Sequence, residues 1–313
     1  MCTAISFRPD DHYFGRTLDL DYHYNESVVI IPKKFPFHFT GGKETQNHFA
    51  IIGTATVVDG YPLYYEATNE KGLSVAGLNF PHNAHYFPIC TNKENIAPFE
   101  LIPWLLSQFR NIDEVKNSLE SINLADIDFS EKLRNSPLHW LVADRSRCIT
   151  VESVKDGLKI YDNPIGVLTN NPSFDLQIKN YNKVKSSLGA TVNDPSLQSK
   201  GMNGIGLLGD LSSPSRFVKA AFAKETSVCG ETENKNVIQF FHILGTVNTP
   251  KGFIKDDYMT VYTSCCNTDK GIFYYTTYEN PQICAVDMHR ENLDGNTLIS
   301  YPLVSDLQIN RIN

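Results

Sequence analysis

The sequence lacks the marks of several protein classes. Its seven cysteines are an odd number and include no Cys-x-x-Cys pair. That argues against a disulfide framework and against a four-cysteine zinc site. Cys90, Cys148, Cys229, Cys265, Cys266 and Cys284 read as ordinary free thiols in a reducing compartment. Positive charge is not in excess: 28 Lys and Arg stand against 35 Asp and Glu, a formal net charge of −7. A general nucleic-acid binder or an anionic-membrane binder needs a basic surface, so neither class is expected. No apolar run approaches the roughly 20 residues of a membrane span. The start, Met1-Cys2-Thr3-Ala4-Ile5-Ser6-Phe7-Arg8, has neither the basic nor the long apolar part of a signal peptide, and a cytoplasmic location is expected. Repeats, low-complexity tracts and Pro/Gly/Ser-rich linkers are also missing. One domain over residues 1–313 is therefore expected.

What is present is a globular composition, 41% hydrophobic and 20% charged. Short apolar segments of strand character dominate. Cys2–Phe7 and Tyr13–Leu20 flank Pro9-Asp10-Asp11, a hairpin signal. Further strands are predicted at Ser27–Pro32, His48–Val58, Leu73–Phe80, Leu138–Ala143, Cys148–Ser153, Leu158–Tyr161 and Gly166–Thr169. A last group falls at Met259–Cys265, Gly271–Tyr278 and Ile283–Met288. Helical spacing appears at Pro98–Phe109, Ile112–Ile122, Ser215–Lys224 and Asn234–Leu244. Grouped strands and grouped helices point to an α+β fold, with two sheets face to face and helices outside.

Chemistry concentrates at the amino terminus. Removal of Met1 would make Cys2 the first residue, carrying a thiol and a free α-amine together. Such a residue is a compact unit of nucleophile and base. A turn near Asp10 sets Cys2 opposite Leu18 or Asp19. One of these registers puts Arg16 on the face of Cys2, where a guanidinium would favour the thiolate. Asp19 has the other parity but lies near the backbone end, within reach of the amine. Taken alone, Arg16 and Asp19 would read as an ordinary cross-strand ion pair. Asn170 would read as a turn residue before Pro172, and Arg216 as a surface helix charge.

Six blocks, in order along the chain, resemble the choloylglycine hydrolase family. They are Met1-Cys2-Thr3-Ala4-Ile5; Tyr13-Phe14-Gly15-Arg16 with Asp19; Asn69-Glu70-Lys71-Gly72-Leu73 with Ala76-Gly77-Leu78-Asn79-Phe80; Gly166-Val167-Leu168-Thr169-Asn170-Asn171-Pro172; Ser215-Arg216-Phe217; and Tyr275-Thr276-Thr277-Tyr278-Glu279-Asn280. The resemblance is strongest to the bile salt hydrolase branch, with penicillin V acylases as relatives. It implies the αββα sandwich of N-terminal nucleophile hydrolases. It also implies cleavage of conjugated bile acids without a cofactor or metal, and a homotetramer. Position by position, it implies Cys2 as nucleophile and Arg16 and Asp19 as supports of its thiol and amine. Asn170 would donate its side chain to the oxyanion and Asn79 its backbone N–H. Arg216 would hold the charged network. Asn79, where the acylases usually carry Tyr, favours a bile salt. Two positions depart from the family pattern, Thr17 for the usual Asn and Leu208 for the common Pro.

A steroid needs an apolar pocket. Leu18, Val58, Tyr65, Phe129 and Leu133 are its expected walls, with plain core packing as the alternative for each. Three rival readings are weaker. A papain-type enzyme would pair a Cys with a His such as His139, but Cys2 has no papain-like surroundings. His82 and His85 lack a third metal ligand. A catalytically silent binding protein would most simply have lost Cys2 or Arg216.

Overall fold

The computed structural model describes residues 1–42, 44–188 and 204–313. The β-rich sequence folds into two large antiparallel sheets. The first runs in the order β14 (Val167–Leu168), β1 (Cys2–Phe7), β2 (Tyr13–Leu20), β15 (Met259–Asn267), β16 (Ile272–Thr277), β17 (Cys284–Asp287). The second runs β13 (Gly157–Asp162), β12 (Cys148–Val154), β11 (Leu138–Ala143), β8 (Ser74–Asn79), β7 (Tyr61–Asn69), β6 (Ile51–Val58), β3 (Ser27–Ile31), β18 (Ile299–Pro302). Two minor pairs are β4 (Phe37–His38) with β5 (Glu44–Thr45), and β9 (Glu94–Ile96) with β10 (Ile122–Leu124).

The period of two along the strands decides the layering. On β8, Ala76 and Leu78 pack with Cys2, Ala4 and Leu18 between the sheets. Val75, of the other parity, packs outward under α1 (Leu101–Gln108) and α2 (Ile112–Leu119). On the far side of the first sheet lie α3 (Phe174–Ser187), α4 (Ser213–Thr226) and α5 (Glu233–Gly245). Their apolar residues, among them Phe174, Phe217 and Phe240, complete the core cluster. The result is the αββα sandwich expected from the sequence. Among the described residues, no helix is long and apolar enough to cross a membrane.

The strands Cys2–Phe7, Tyr13–Leu20 and Leu138–Ala143 have the bounds read from the sequence. Two large elements were not foreseen. β7 is broken up by Pro62 and polar residues, yet Asp59-Gly60 marked its hairpin. Both residues take positive φ, 50° and 79°, as a two-residue loop joining Val58 to Tyr61 requires. α3 buries only Phe174, Gln177 and Tyr181, and the central Gln hides its apolar stripe.

Candidate active site

The β1–β2 register sets Cys2 opposite Leu18 and Ala4 opposite Arg16, so Arg16 shares the face of Cys2. Gly15 makes the neighbouring strand approach possible. A Cβ there would lie 2.0 Å from the Ser264 carbonyl oxygen of β15. Arg16 is buried and donates through Nη1 to the carbonyls of Tyr65 (3.0 Å) and Gly77 (2.5 Å). Its Nε lies 3.7 Å from Glu66 Oε2, which also accepts from the Tyr262 hydroxyl at 2.7 Å. Burial works against the charge on Arg16, but Cys2, Tyr262 and Glu66 together push its pKa above the usual value. Burial raises Glu66 to about 7 against the pull of Arg16 and Tyr262. Nothing in the sequence reading singled out Glu66. A lone charge among the otherwise uncharged residues Tyr61–Asn69 was the available signal.

Arg216 is no surface charge. It lies fully buried in α4, whose first turn is seated by Asp210. The Asp210 carboxylate accepts from Ser212 N (2.8 Å) and Ser215 Oγ (2.7 Å), and these bonds hold its pKa near 2. Arg216 donates to the Cys2 carbonyl, to Thr3 Oγ1 (2.7 Å), to Leu211 O (3.1 Å) and to Asn170 Oδ1 (2.7 Å). Burial lowers the pKa of Arg216, opposed by Asp19 and Cys2.

Asn170 is the hub of the site. Its Oδ1 accepts from Cys2 N at 2.8 Å as well as from Arg216. Its Nδ2 donates to the Asn79 carbonyl at 2.7 Å, and its backbone N–H to Ser213 Oγ at 2.9 Å. Asn79 ends β8 with its side chain exposed. Asp19 keeps the opposite parity. Its backbone is tied to Met1, with Met1 N donating to Asp19 O (2.7 Å) and Asp19 N to Met1 O (2.9 Å). Its Oδ1 accepts from Thr260 Oγ1 at 2.7 Å, while the buried Oδ2 has no partner among the described residues. Burial raises the Asp19 pKa, against Arg216 and the terminal amine.

Of the five expected pocket residues, Leu18 and Tyr65 pack in the cluster that contains Cys2. Val58 faces Tyr61 across the hairpin, and the Tyr61 ring meets Phe129 at 5.8 Å. Tyr61 belongs to the cluster under α1, and Leu133 sits exposed in a turn with Ser130. The Asn69-Glu70-Lys71-Gly72-Leu73 block is a turn. Asn69 Oδ1 accepts from Lys71 N and Leu73 N, and Gly72 takes φ +84°. Thr17, one of the two departures, accepts Thr3 N at 3.2 Å within the β1–β2 hairpin. His139 is buried and bonds Glu152 and the Thr169 carbonyl, leaving no ring nitrogen for a Cys2 partner.

The αββα sandwich, with Cys2 opening a strand of the first sheet beside the buried Arg16 and Arg216, is the fold of the N-terminal nucleophile hydrolases. The model of linear amide C–N hydrolases of the choloylglycine hydrolase family matches residues 2–301, and the chain belongs to that family. It is 51% identical to a bile salt hydrolase/transferase of Lactiplantibacillus plantarum, with all of both chains covered. A bile salt hydrolase/transferase of Clostridium perfringens is 38% identical, again over all of both chains. A solved conjugated bile acid hydrolase from Clostridium perfringens superposes with a TM-score of 0.89 at 36% identity, covering all of both chains. A penicillin V acylase from Agrobacterium tumefaciens shares the fold, with a TM-score of 0.77 at 15% identity over 96% of this chain and 90% of that one.

Proposed function

We propose that the chain cleaves the amide bond joining a bile acid to glycine or taurine, with Cys2 as nucleophile. The observation that carries this is the convergence of Asn170 and Arg216 on the backbone of Cys2. Removal of Met1 turns the nitrogen that Asn170 holds into an α-amine beside its own thiol. The amine can take the proton of the thiol on the same residue. The thiolate attacks the amide carbonyl. The Asn79 N–H and the Asn170 amide stabilise the oxyanion. An amide NH2 has two hydrogens, and the bond to Asn79 O uses one of them. The Cys2 amine protonates the leaving nitrogen, and glycine or taurine departs. Water, deprotonated by the same amine, then hydrolyses the thioester. Arg16 supports the thiolate, Asp19 orients the amine and Arg216 holds the network. Leu18, Val58, Tyr65, Phe129 and Leu133 line the steroid site. The scheme uses no metal and no organic cofactor. A single domain over residues 1–313, a homotetramer and a cytoplasmic location belong to the same reading.

The test is amine release from glycocholate, taurocholate and penicillin V, with Cys2→Ala as blank and intact mass confirming loss of Met1. Bile-salt turnover that disappears in the blank is expected. Cys2→Ser should bind substrate yet turn over far more slowly, because an alcohol is a poorer nucleophile at neutral pH. Release from penicillin V alone would overturn the bile-salt substrate and leave the cysteine chemistry standing. No release by protein that has lost Met1 would overturn the reading.

A further inference from the structure

His139 has no place in the reaction as written, yet it touches both segments that carry the oxyanion donors. Its ring stacks on Phe80, the residue after Asn79, with centroids 4.2 Å apart and planes 7° from parallel. Its Nε2 lies 2.7 Å from the carbonyl oxygen of Thr169, the residue before Asn170. Its Nδ1 lies 3.1 Å from Glu152 Oε1, and Glu152 is its direct cross-strand partner. The same Oε1 accepts from Phe174 N at 2.9 Å, where the loop of Asn170 enters α3. His139 and Glu152 therefore grip this loop on both sides of Asn170 and brace the end of β8. Both side chains are fully buried.

We propose that the His139–Glu152 pair is the positioning element that holds Asn170 and Asn79 at the separation the oxyanion requires. The proposal rests on the oxyanion roles given to those two residues above. Hydrogen counting shows why both partners are needed. A carbonyl oxygen only accepts, so Nε2 must carry a hydrogen toward Thr169. Nδ1 faces a carboxylate oxygen, so a second hydrogen must lie between His139 and Glu152. A neutral imidazole has one N–H, and the pair supplies the other from either side. A Gln at 152 can turn its oxygen to Phe174 N or its NH2 to His139 Nδ1, but one atom cannot accept from the first and donate to the second. One of these two bonds is then lost. Neither side chain touches the reacting atoms, so the effect passes through the placement of Asn170 and Asn79.

The experiment measures kcat and KM for glycocholate in His139→Phe, which keeps a stacking ring and removes both hydrogen bonds. Glu152→Gln is a near-isosteric second variant that carries the test should the first fail to fold. The expected result is a kcat about 10- to 100-fold lower with KM within about 2-fold, the pattern of a displaced transition-state donor. Alkylation of Cys2 by iodoacetamide, read at the Cys2 peptide, should keep its rate, because that displacement builds no oxyanion. Combining His139→Phe or Glu152→Gln with Asn170→Ala should cost less than the product of the two separate losses, the remainder passing through Asn79. Losses that multiply, unchanged kcat in both single variants, or Cys2 alkylation that slows in step with turnover would each overturn the proposal while leaving the oxyanion reading intact. Full turnover by Asn170→Ala would instead overturn the oxyanion reading itself, and this proposal with it.

Discussion

The two ends of the β1–β2 hairpin bury polar groups in opposite ways. At the turn end, His12 is enclosed with both ring nitrogens partnered. Its Nε2 meets Ser6 Oγ at 2.9 Å and its Nδ1 meets Thr268 Oγ1 at 2.8 Å. Burial, with the nearby Arg8 charge, pushes its pKa down to about 3, so the ring is neutral. At the open end, Arg16, Arg216, Asp19 and Glu66 are all buried. Asp19 Oδ2 and Glu66 Oε1 have no hydrogen-bond partner among the described residues. One hairpin end thus holds a neutral imidazole partnered through both ring nitrogens, and the other holds buried charged groups with unpartnered carboxylate oxygens. Where only stability is at stake, a fold neutralises and satisfies what it buries. Where buried charge and free acceptors persist, chemistry is the reason to look for.

The largest break in this contrast should come from Arg216→Leu. It strips the donor from the Cys2 carbonyl, Thr3 Oγ1 and Leu211 O, and leaves Asp19 without its buried counter-charge. A stability loss of about 3–5 kcal/mol in a denaturant melt is expected, with amine release at blank level. Unchanged stability would mean that the open end is not held by its charges. A smaller effect, and a sharper one, is the sign of the pH dependence. Glu66 has a folded pKa of about 7, above its ordinary 4.5. Its contribution to stability is full below 4.5 and is lost as pH rises through about 7. Glu66→Gln should therefore gain stability relative to the parent as pH climbs through that window, by at most about 1.4 kcal/mol per pH unit. His12 has the reverse sign. Its folded pKa of about 3 lies below the ordinary 6.5, so stability is full above 6.5 and falls as pH drops toward 3. The smallest effect is expected from His12→Gln, which should cost about 1–2 kcal/mol, flatten the acid limb of the stability profile and leave kcat unchanged. A fall in kcat there would erase the distinction between the two ends.

Much of the layering was legible locally. The Pro9-Asp10-Asp11 turn and the period of two in its flanking strands predict the hairpin, and the turn narrows Cys2 to two registers. Packing chose the one that sets Leu18 opposite Cys2. The strand β7 was obscured because its polar residues are used inside the fold, where Glu66 meets Arg16 and Tyr262. Asn170 and Arg216 carried no functional signal of their own. An Asn before Pro and an Arg in a helix are common on any surface. The ordered set of family blocks pointed to them, and their burial against Cys2 supplies the physical content. His139 was weighed as a partner of Cys2, and its place between Glu152 and Thr169 gives it other work.

By itself the sequence determined a thiol that becomes amino-terminal on loss of Met1, a chain of alternating strands and a hairpin that leaves Cys2 two registers, one of them with Arg16 on its face. Those properties are local: they follow from the nearest residues and from the two-residue repeat of a strand. Only the tertiary structure decided that residues 168 and 214 positions away along the chain close on the Cys2 backbone. It also decided that Glu66 underlies Arg16 and that a His–Glu pair braces the loop of Asn170. Contacts of that span arise from the packing of layers, and desolvation inside those layers shifts the proton affinity of the Arg and Glu side chains buried there.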